Sequence, residues 1–291
     1  MTRFAYSAPT SIAEAAERLS APGARAMGGG TDILPQLQRG IRPADELVDL
    51  RGAVPAGVLA AAQGIRIGAA TRVADIARDP DVGARFAVLA EAAAAVASPQ
   101  LREMGTVAGN LCQAVRCWYF RHPDLTCWLR GGDTCYAQIG DHRKHGLEPG
   151  DCISVAPSDL AAALLALDAV VTTNRRDAFP LADLYRKASA EDRSTIALEQ
   201  GELITAVTVP RPPDASAYVR AGERAAWSFA LCGVAAARFD GDVRMAAIGV
   251  SNLPRLLDPA DPLAGLPGLE MTGWKRRLLS TLAQDARAAV S

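Results

Sequence analysis

The chain has 291 residues, 49% hydrophobic and 22% charged, with a formal charge of −1; that length buries a substantial core, most naturally as two domains, and so small a charge gives no field for capturing nucleic acid. No stretch is apolar for long enough to span a membrane, and the N-terminal MTRFAYSAPTSIAEAAERLS lacks the continuous apolar run of a secretory signal. The chain therefore reads as cytoplasmic, with export inside a folded complex left open, and its six cysteines argue for metal or redox chemistry rather than a disulfide framework.

In chain order, the first predicted element is a short amphipathic helix. Ile12, Ala15, Ala16 and Leu19 recur at helical spacing behind Ser11 as N-cap, and Glu14 completes a capping box. Then come ARAMGGGTDILPQLQRG, ELVDLRG, IRIGAATRVADIARDP and a helix-like ARFAVLAEAAAAVASPQLREMG, an alternation of short β-rich pieces with helices. SDLAAALLALD reads as a capped helix from Ser158, and AVVTTN behind it as a strand. The polar NRRD run at Asn174 to Asp177 marks the expected domain boundary, giving units 1–176 and 177–291. In the second half ELITAVTVP, AYVRAGE, SFALCGVAAARF and DVRMAAIGVSN are strand candidates, with a turn at Asp240-Gly241. A largely antiparallel sheet follows, closed by a helix over GWKRRLLSTLAQDARAAV with Leu278, Leu279, Leu282 and Ala286 on one side.

Gly28-Gly29-Gly30, followed by Thr31 and Asp32, sits between apolar residues. Successive backbone N–H groups freed of side chains cradle phosphate; the same run also suits a tight strand-to-helix turn, and the local residues leave both readings open. Neither a Walker A loop nor a Gly-x-Gly-x-x-Gly fingerprint is present. REMGTVAGNLC brings Gly105, Thr106, Gly109 and Asn110, and VAPSDL presents Ser158 and Asp159 at a helix mouth.

Taken in this order, AMGGGTDILPQL, GTVAGNL and PSDLAAALLALDAVV resemble the successive FAD-binding motifs of the flavoprotein (medium) subunit of the xanthine dehydrogenase, or molybdenum hydroxylase, family. A weaker similarity continues through YVRAGERAAWSFALCGVAAARF to about Arg255. The resemblance implies an α+β fold: a vanillyl-alcohol-oxidase (PCMH)-type FAD-binding domain of two subdomains, then a smaller antiparallel-sheet-plus-helix domain like the C-terminal domain of CO dehydrogenase flavoproteins. It implies that FAD is held by Met27, Gly28, Gly29, Gly30, Thr31, Asp32 and Ile33, by Arg102, Gly105, Thr106, Gly109 and Asn110, and by Ser158 and Asp159. Arg220 is a further candidate contact, although surface salt bridging suits it and Arg224 as well. The implied partners are a small [2Fe-2S] subunit and a large molybdopterin-binding subunit. The 36 residues after Arg255 are fewer than the family leads one to expect, so shortened C-terminal helices are anticipated.

Most such subunits pass directly from the Gly-Asn motif to the Pro-Ser-Asp motif, whereas here a segment at about 112–152 intervenes and carries five of the six cysteines. The beta subunits of 4-hydroxybenzoyl-CoA reductases and the FAD subunits of bacterial periplasmic aldehyde oxidoreductases are similar in carrying a cysteine-bearing insertion that binds a [4Fe-4S] cluster. That resemblance, closer to the aldehyde oxidoreductase type, implies Cys117, Cys127, Cys135 and Cys152 as ligands, with Trp118, Tyr119, Phe120 and Trp128 as the apolar surround such clusters favour. Cys112 is a spare candidate and Cys232, in an apolar strand, a core cysteine. Structural zinc prefers paired C-x₂₋₄-C knuckles, which the intervals of 10, 8 and 17 residues do not contain. His122, His142 and His145 read as solvated loop histidines with ligand substitution as the alternative, and DHRKHG as a solvated face or a docking contact.

On this reading no side chain is a nucleophile or general base, and flavin and cluster carry electrons between partner [2Fe-2S] centres and an external acceptor. Two rivals stand beside it: a self-sufficient flavoprotein oxidase or dehydrogenase acting directly on a small molecule, and a non-catalytic iron–sulfur or zinc scaffold whose glycine loops are only turns.

Overall fold

The computed structural model describes residues 3–60, 63–224 and 227–291; Met1-Thr2, Ala61-Ala62 and the Ala225-Ala226 pair of the YVRAGERAAWSF stretch lie outside the described residues. The expected α+β architecture is observed, built on three sheets. A small parallel sheet holds Ala5–Ser7, Glu46–Asp49 and Ala24–Met27 in that spatial order. Helix Ile12–Leu19 links its first two strands in sequence: Ser11 Oγ accepts from Glu14 N at 3.2 Å, while the Glu14 carboxylate reaches Thr10 N at 3.4 Å, one residue before the cap.

The second sheet runs Val58–Ala60, Ile65–Gly68, Ile204–Val209, Val170–Thr173, Phe179–Pro180, all antiparallel. Its middle strand, Ile204–Val209, comes from beyond residue 177, so this sheet spans the boundary expected at 176/177. The polar Asn174 to Asp177 run is a turn inside this sheet, with Thr173 N donating to Arg176 O at 3.0 Å. Polar residues cluster at hairpin tips as readily as at linkers. The chain changes sheets between Val209 and Ala215.

The third sheet, Ala215–Gly222, Ala230–Phe239, Asp242–Ile248 and Arg255–Leu257, is an antiparallel meander. Asp240 and Gly241, at φ +53° and +93°, form the two-residue turn that the right-handed twist of a hairpin favours. The long helix Gly273–Ala288 covers one face with Leu279, Leu282, Ala283 and Ala286 buried. On the other face sits helix Asp159–Ala166, buried all round because Ala87–Ala95 also packs on it, which is why its sequence shows no polar stripe. The helix-like 84–105 segment is interrupted, since Ala97 at φ +45° and Pro99 at the first turn of Pro99–Met104 stop one helix and start another. Among the described residues no helix is long and apolar enough to cross a membrane.

Candidate functional site

The shape of the first glycine loop follows from what it touches. It joins strand Ala24–Met27 to helix Ile33–Gln38. A Cβ on Gly29 would stand 1.6 Å from the Met104 carbonyl oxygen, and one on Gly28 2.4 Å from Thr106 Oγ1. At Gly29 backbone meets backbone, a contact that only glycine permits, while Gly28 leaves room for the Thr106 hydroxyl. Thr106 caps the short helix Val107–Leu111, accepting from Gly109 N at 3.2 Å, and Asn110 Oδ1 accepts from Ser158 Oγ at 2.7 Å. The three loops read separately from the sequence are thus fastened into one structure.

They surround a cavity of about 900 Å³, a size suited to burying a large organic ligand. Gly28, Gly30, Thr31, Asp32 and Ile33 line it from the first loop, Gly105, Thr106, Gly109 and Asn110 from the second, and Asp159 from the third. Five expected contacts stand behind the wall instead. Met27 is buried beneath the loop, Gly29 is wedged on Met104, and Ser158 is a cap bonded to Asn110. Arg102 donates to Val96 O at 2.8 Å. Arg220 donates to Ala95 O at 2.7 Å and Ser228 O at 2.6 Å and lies 3.6 Å from Asp159, so it is neither a surface ion pair nor a lining group.

Asp159 is buried, and its Oδ1 accepts from Tyr218 OH at 2.7 Å. Burial pushes its carboxyl above the ordinary range against the pull of Arg220 and Tyr218. Asp32 goes the other way: burial would raise it, but Arg116, Arg121 and the Ala114 N–H together hold it below the usual carboxylate range. Asp32 accepts from Ala114 N at 2.8 Å, Arg121 at 2.9 Å, Gln36 at 2.9 Å and Arg116 at 3.1 Å. It therefore ties the first glycine loop to the start of the inserted segment. Arg116 also lies over the Phe229 ring at 3.8 Å, and burial lowers its guanidinium to about 9. Seven cationic side chains line the cavity against four carboxylates, an excess that favours an anionic guest.

The inserted segment has little regular structure, so its carbonyls need other partners. Arginines supply them: Arg130 donates to His122 O and Leu125 O, each at 2.8 Å, and Arg193 to Trp128 O at 2.5 Å and Gly132 O at 2.6 Å while covering the Trp128 ring at 4.9 Å. Inside this frame Cys117, Cys127, Cys135 and Cys152 line one small cavity walled by Tyr119, Phe120, Trp128, Leu129 and Tyr136. Phe120 N donates to Cys117 Sγ at 3.4 Å, and Ser154 Oγ lies 3.1 Å from Cys152 Sγ. Burial pushes the Cys117 thiol up to about 12, that of Cys152 to about 11, and that of Cys127 upward. Protons leave such thiols only if a cation replaces them. Among the described residues no group of three or more His, Cys, Asp or Glu side chains closes on a point where one metal ion would sit. Four thiols with no carboxylate, hydrogen-bond donors near the sulfurs and an aromatic wall match the donor chemistry of an iron–sulfur cluster. Cys117 lines both cavities.

Cys112 faces the larger cavity and is absent from the smaller one, and Cys232 is a fully buried core residue. Two histidines depart from expectation. His122 is exposed, but His142 and His145 are buried, the latter with Nε2 3.2 Å from Cys117 Sγ. Reading the sequence also missed Arg116 and Arg121; their position on either side of the cysteine-aromatic run, facing an aspartate in the glycine loop, was the available signal.

The sequence profile for the FAD binding domain in molybdopterin dehydrogenase matches residues 2–212. The chain is 38% identical over 274 residues to the aldehyde oxidoreductase FAD-binding subunit PaoB of Escherichia coli (strain K12), covering 90% of this chain and 86% of that protein. It is 35% identical over 113 residues to the carbon monoxide dehydrogenase medium chain of Hydrogenophaga pseudoflava, covering 38% of this chain and 39% of that one. A solved carbon monoxide dehydrogenase from Hydrogenophaga pseudoflava superposes with a TM-score of 0.75 at 20% identity, over 99% of this chain and 97% of the other. Quinoline 2-oxidoreductase from Pseudomonas putida 86 gives 0.70 at 20%, again over 99% and 97%. At these identities the structural likeness speaks for the fold alone.

Proposed function

The chain belongs to the FAD-binding family of molybdopterin dehydrogenases, a family of oxidoreductase flavoproteins, and from that premise we propose that it is the FAD- and [4Fe-4S]-carrying electron-transfer subunit of a molybdenum-dependent aldehyde oxidoreductase complex. The observation that carries this reading is the junction of the two cavities at Cys117, which puts four clustered thiols against the wall of the glycine-loop cavity. FAD supplies a carrier of two electrons that also exchanges them singly, and a cluster supplies a one-electron relay.

The residues of the chain do the rest. Gly28, Gly30, Gly105 and Gly109 keep the wall free of side chains so that backbone N–H groups reach a pyrophosphate. The surplus of arginines offsets its charge. Asp159, its carboxyl fixed by Tyr218, offers an acceptor to sugar hydroxyls. Cys117, Cys127, Cys135 and Cys152 hold the iron, while Arg130 and Arg193 keep the loops between them from collapsing. Substrate oxidation takes place on a large molybdopterin-binding partner, with a small [2Fe-2S] partner between them, as the family resemblance implies; the name of the 38%-identical relative, an FAD-binding subunit of an aldehyde oxidoreductase, supports an assembly of several subunits.

Purification of the chain without oxygen tests this reading. Flavin absorbance together with iron, acid-labile sulfide and an electron paramagnetic resonance signal on reduction support it; a flavoprotein without iron removes the cluster, and a colourless chain removes both cofactors. Flavin reduction by aldehydes in the absence of any partner would favour the self-sufficient oxidase instead.

A further inference from the structure

Lys275 is wholly buried in helix Gly273–Ala288, and among the described residues it forms no salt bridge with a carboxylate. Its Nζ donates to Lys144 O and His145 O, both at 2.9 Å. Two more bonds fasten the same loop to the start of that helix: Trp274 Nε1 donates to Arg143 O at 3.0 Å, and Met271 N to His142 Nε2 at 3.3 Å. A buried ammonium with only carbonyl partners is costly. Here it fixes a loop whose last member, His145, is 1% exposed, lines the larger cavity and reaches Cys117, which the two cavities share.

The His145 ring stands edge-on to Trp118 at 4.6 Å and 87°, with Nε2 3.2 Å from Cys117 Sγ. Among the described residues its buried Nδ1 has no hydrogen-bond partner. A neutral imidazole carries one N–H, and only the tautomer with hydrogen on Nε2 finds an acceptor. We infer that His145, positioned by the Lys275 clamp of the C-terminal helix, donates a hydrogen bond to the sulfur of Cys117 and thereby sets the reduction potential of the cluster held there. The inference rests on the iron–sulfur reading proposed above. Adding an electron makes ligated sulfur more negative, so a donor aimed at that sulfur favours the reduced state and raises the potential. The Lys275 ammonium, behind the same loop, acts in the same sense. His145 is a positioning and tuning group, and Cys117 remains the ligand.

The test is a potentiometric titration of the full chain, followed by electron paramagnetic resonance of the reduced cluster, for wild type, His145→Leu, His145→Gln and Lys275→Met. Iron and flavin content are measured on each sample. The expected result is a lower potential in His145→Leu at unchanged iron content, partial recovery in His145→Gln, whose amide can still donate, and a lower potential in Lys275→Met. In the wild type, exchange into deuterium oxide should remove a proton coupling from the reduced cluster. An unchanged potential in an iron-replete His145→Leu overturns the inference. If that variant loses its iron, the wild-type spectrum decides: absence of an exchangeable proton coupling, or a coupling showing nitrogen bound directly to iron, overturns it equally. A wild-type chain with flavin and no iron sinks the cluster reading itself, an outcome distinct from iron whose potential ignores His145.

Discussion

Gly29→Ala is the substitution whose effect the structure determines most directly. The new Cβ would stand 1.6 Å from the carbonyl oxygen of Met104 and 2.3 Å from its carbonyl carbon. Ordinary contact begins at 3.4 Å, so the two glycine loops must part by about 1.8 Å. Both sides of that contact are backbone, and no side chain can swing away. Overpacking of this kind costs about 1–3 kcal/mol, and the upper end applies where backbone meets backbone. Because about 1.4 kcal/mol is a factor of ten in an equilibrium constant, and because the loops are cavity wall, FAD should bind on the order of 30- to 100-fold more weakly. Titration of deflavinated protein with FAD, followed by quenching of flavin fluorescence, measures this. Gly83→Ala is the matched control: a Cβ there meets nothing within 4 Å, it lies in helix Pro80–Arg85, and alanine should stabilise the helix slightly with FAD affinity unchanged. A Gly29→Ala protein that binds FAD as tightly as Gly83→Ala would refute the claim that these loops form the cofactor wall.

Serine at Cys117, Cys127, Cys135 or Cys152 should abolish iron while FAD is retained, whereas Cys112→Ser should leave the iron content intact; metal analysis beside the flavin spectrum reads both. Asp32→Asn removes the carboxylate between two partly buried guanidinium groups and should cost about 3 kcal/mol in denaturant unfolding. The pH dependence follows from the lowered Asp32 value: its contribution is complete above the unfolded carboxylate range near pH ~4 and is lost as pH falls through the folded value, so the wild type should lose stability on acidification more steeply than Asp32→Asn. Tyr218→Phe removes the hydrogen bond to Asp159 and should weaken FAD binding about tenfold, with the fold retained by circular dichroism.

Local chemistry made the helices and loops readable. Ser11, Thr106 and Ser158 cap helices because a short hydroxyl ahead of an apolar run has few other uses, and Asp240-Gly241 turns because its φ values suit few residue pairs. The family motifs brought the glycine loops and Asp159 together before any coordinates. Long-range pairing was not readable. Nothing in ITAVTV announces that it is the middle of a sheet begun 146 residues earlier at Val58, on the other side of the boundary expected at Asn174 to Asp177. Charged residues misled for a related reason. Arg116, Arg121, His145 and Lys275 are typical surface residues, yet each is drawn inward by a partner distant in sequence: Asp32, Asp32, Cys117 and the 144–145 carbonyls.

The central claim, a flavin cavity and an iron–sulfur site meeting at Cys117, is tested most directly by cofactor stoichiometry of the anaerobically purified chain, with Mössbauer spectroscopy of iron-57-enriched protein. The account predicts about one flavin and four irons per chain, all in one cubane cluster. Flavin with zinc, or flavin with no metal at all, would contradict it.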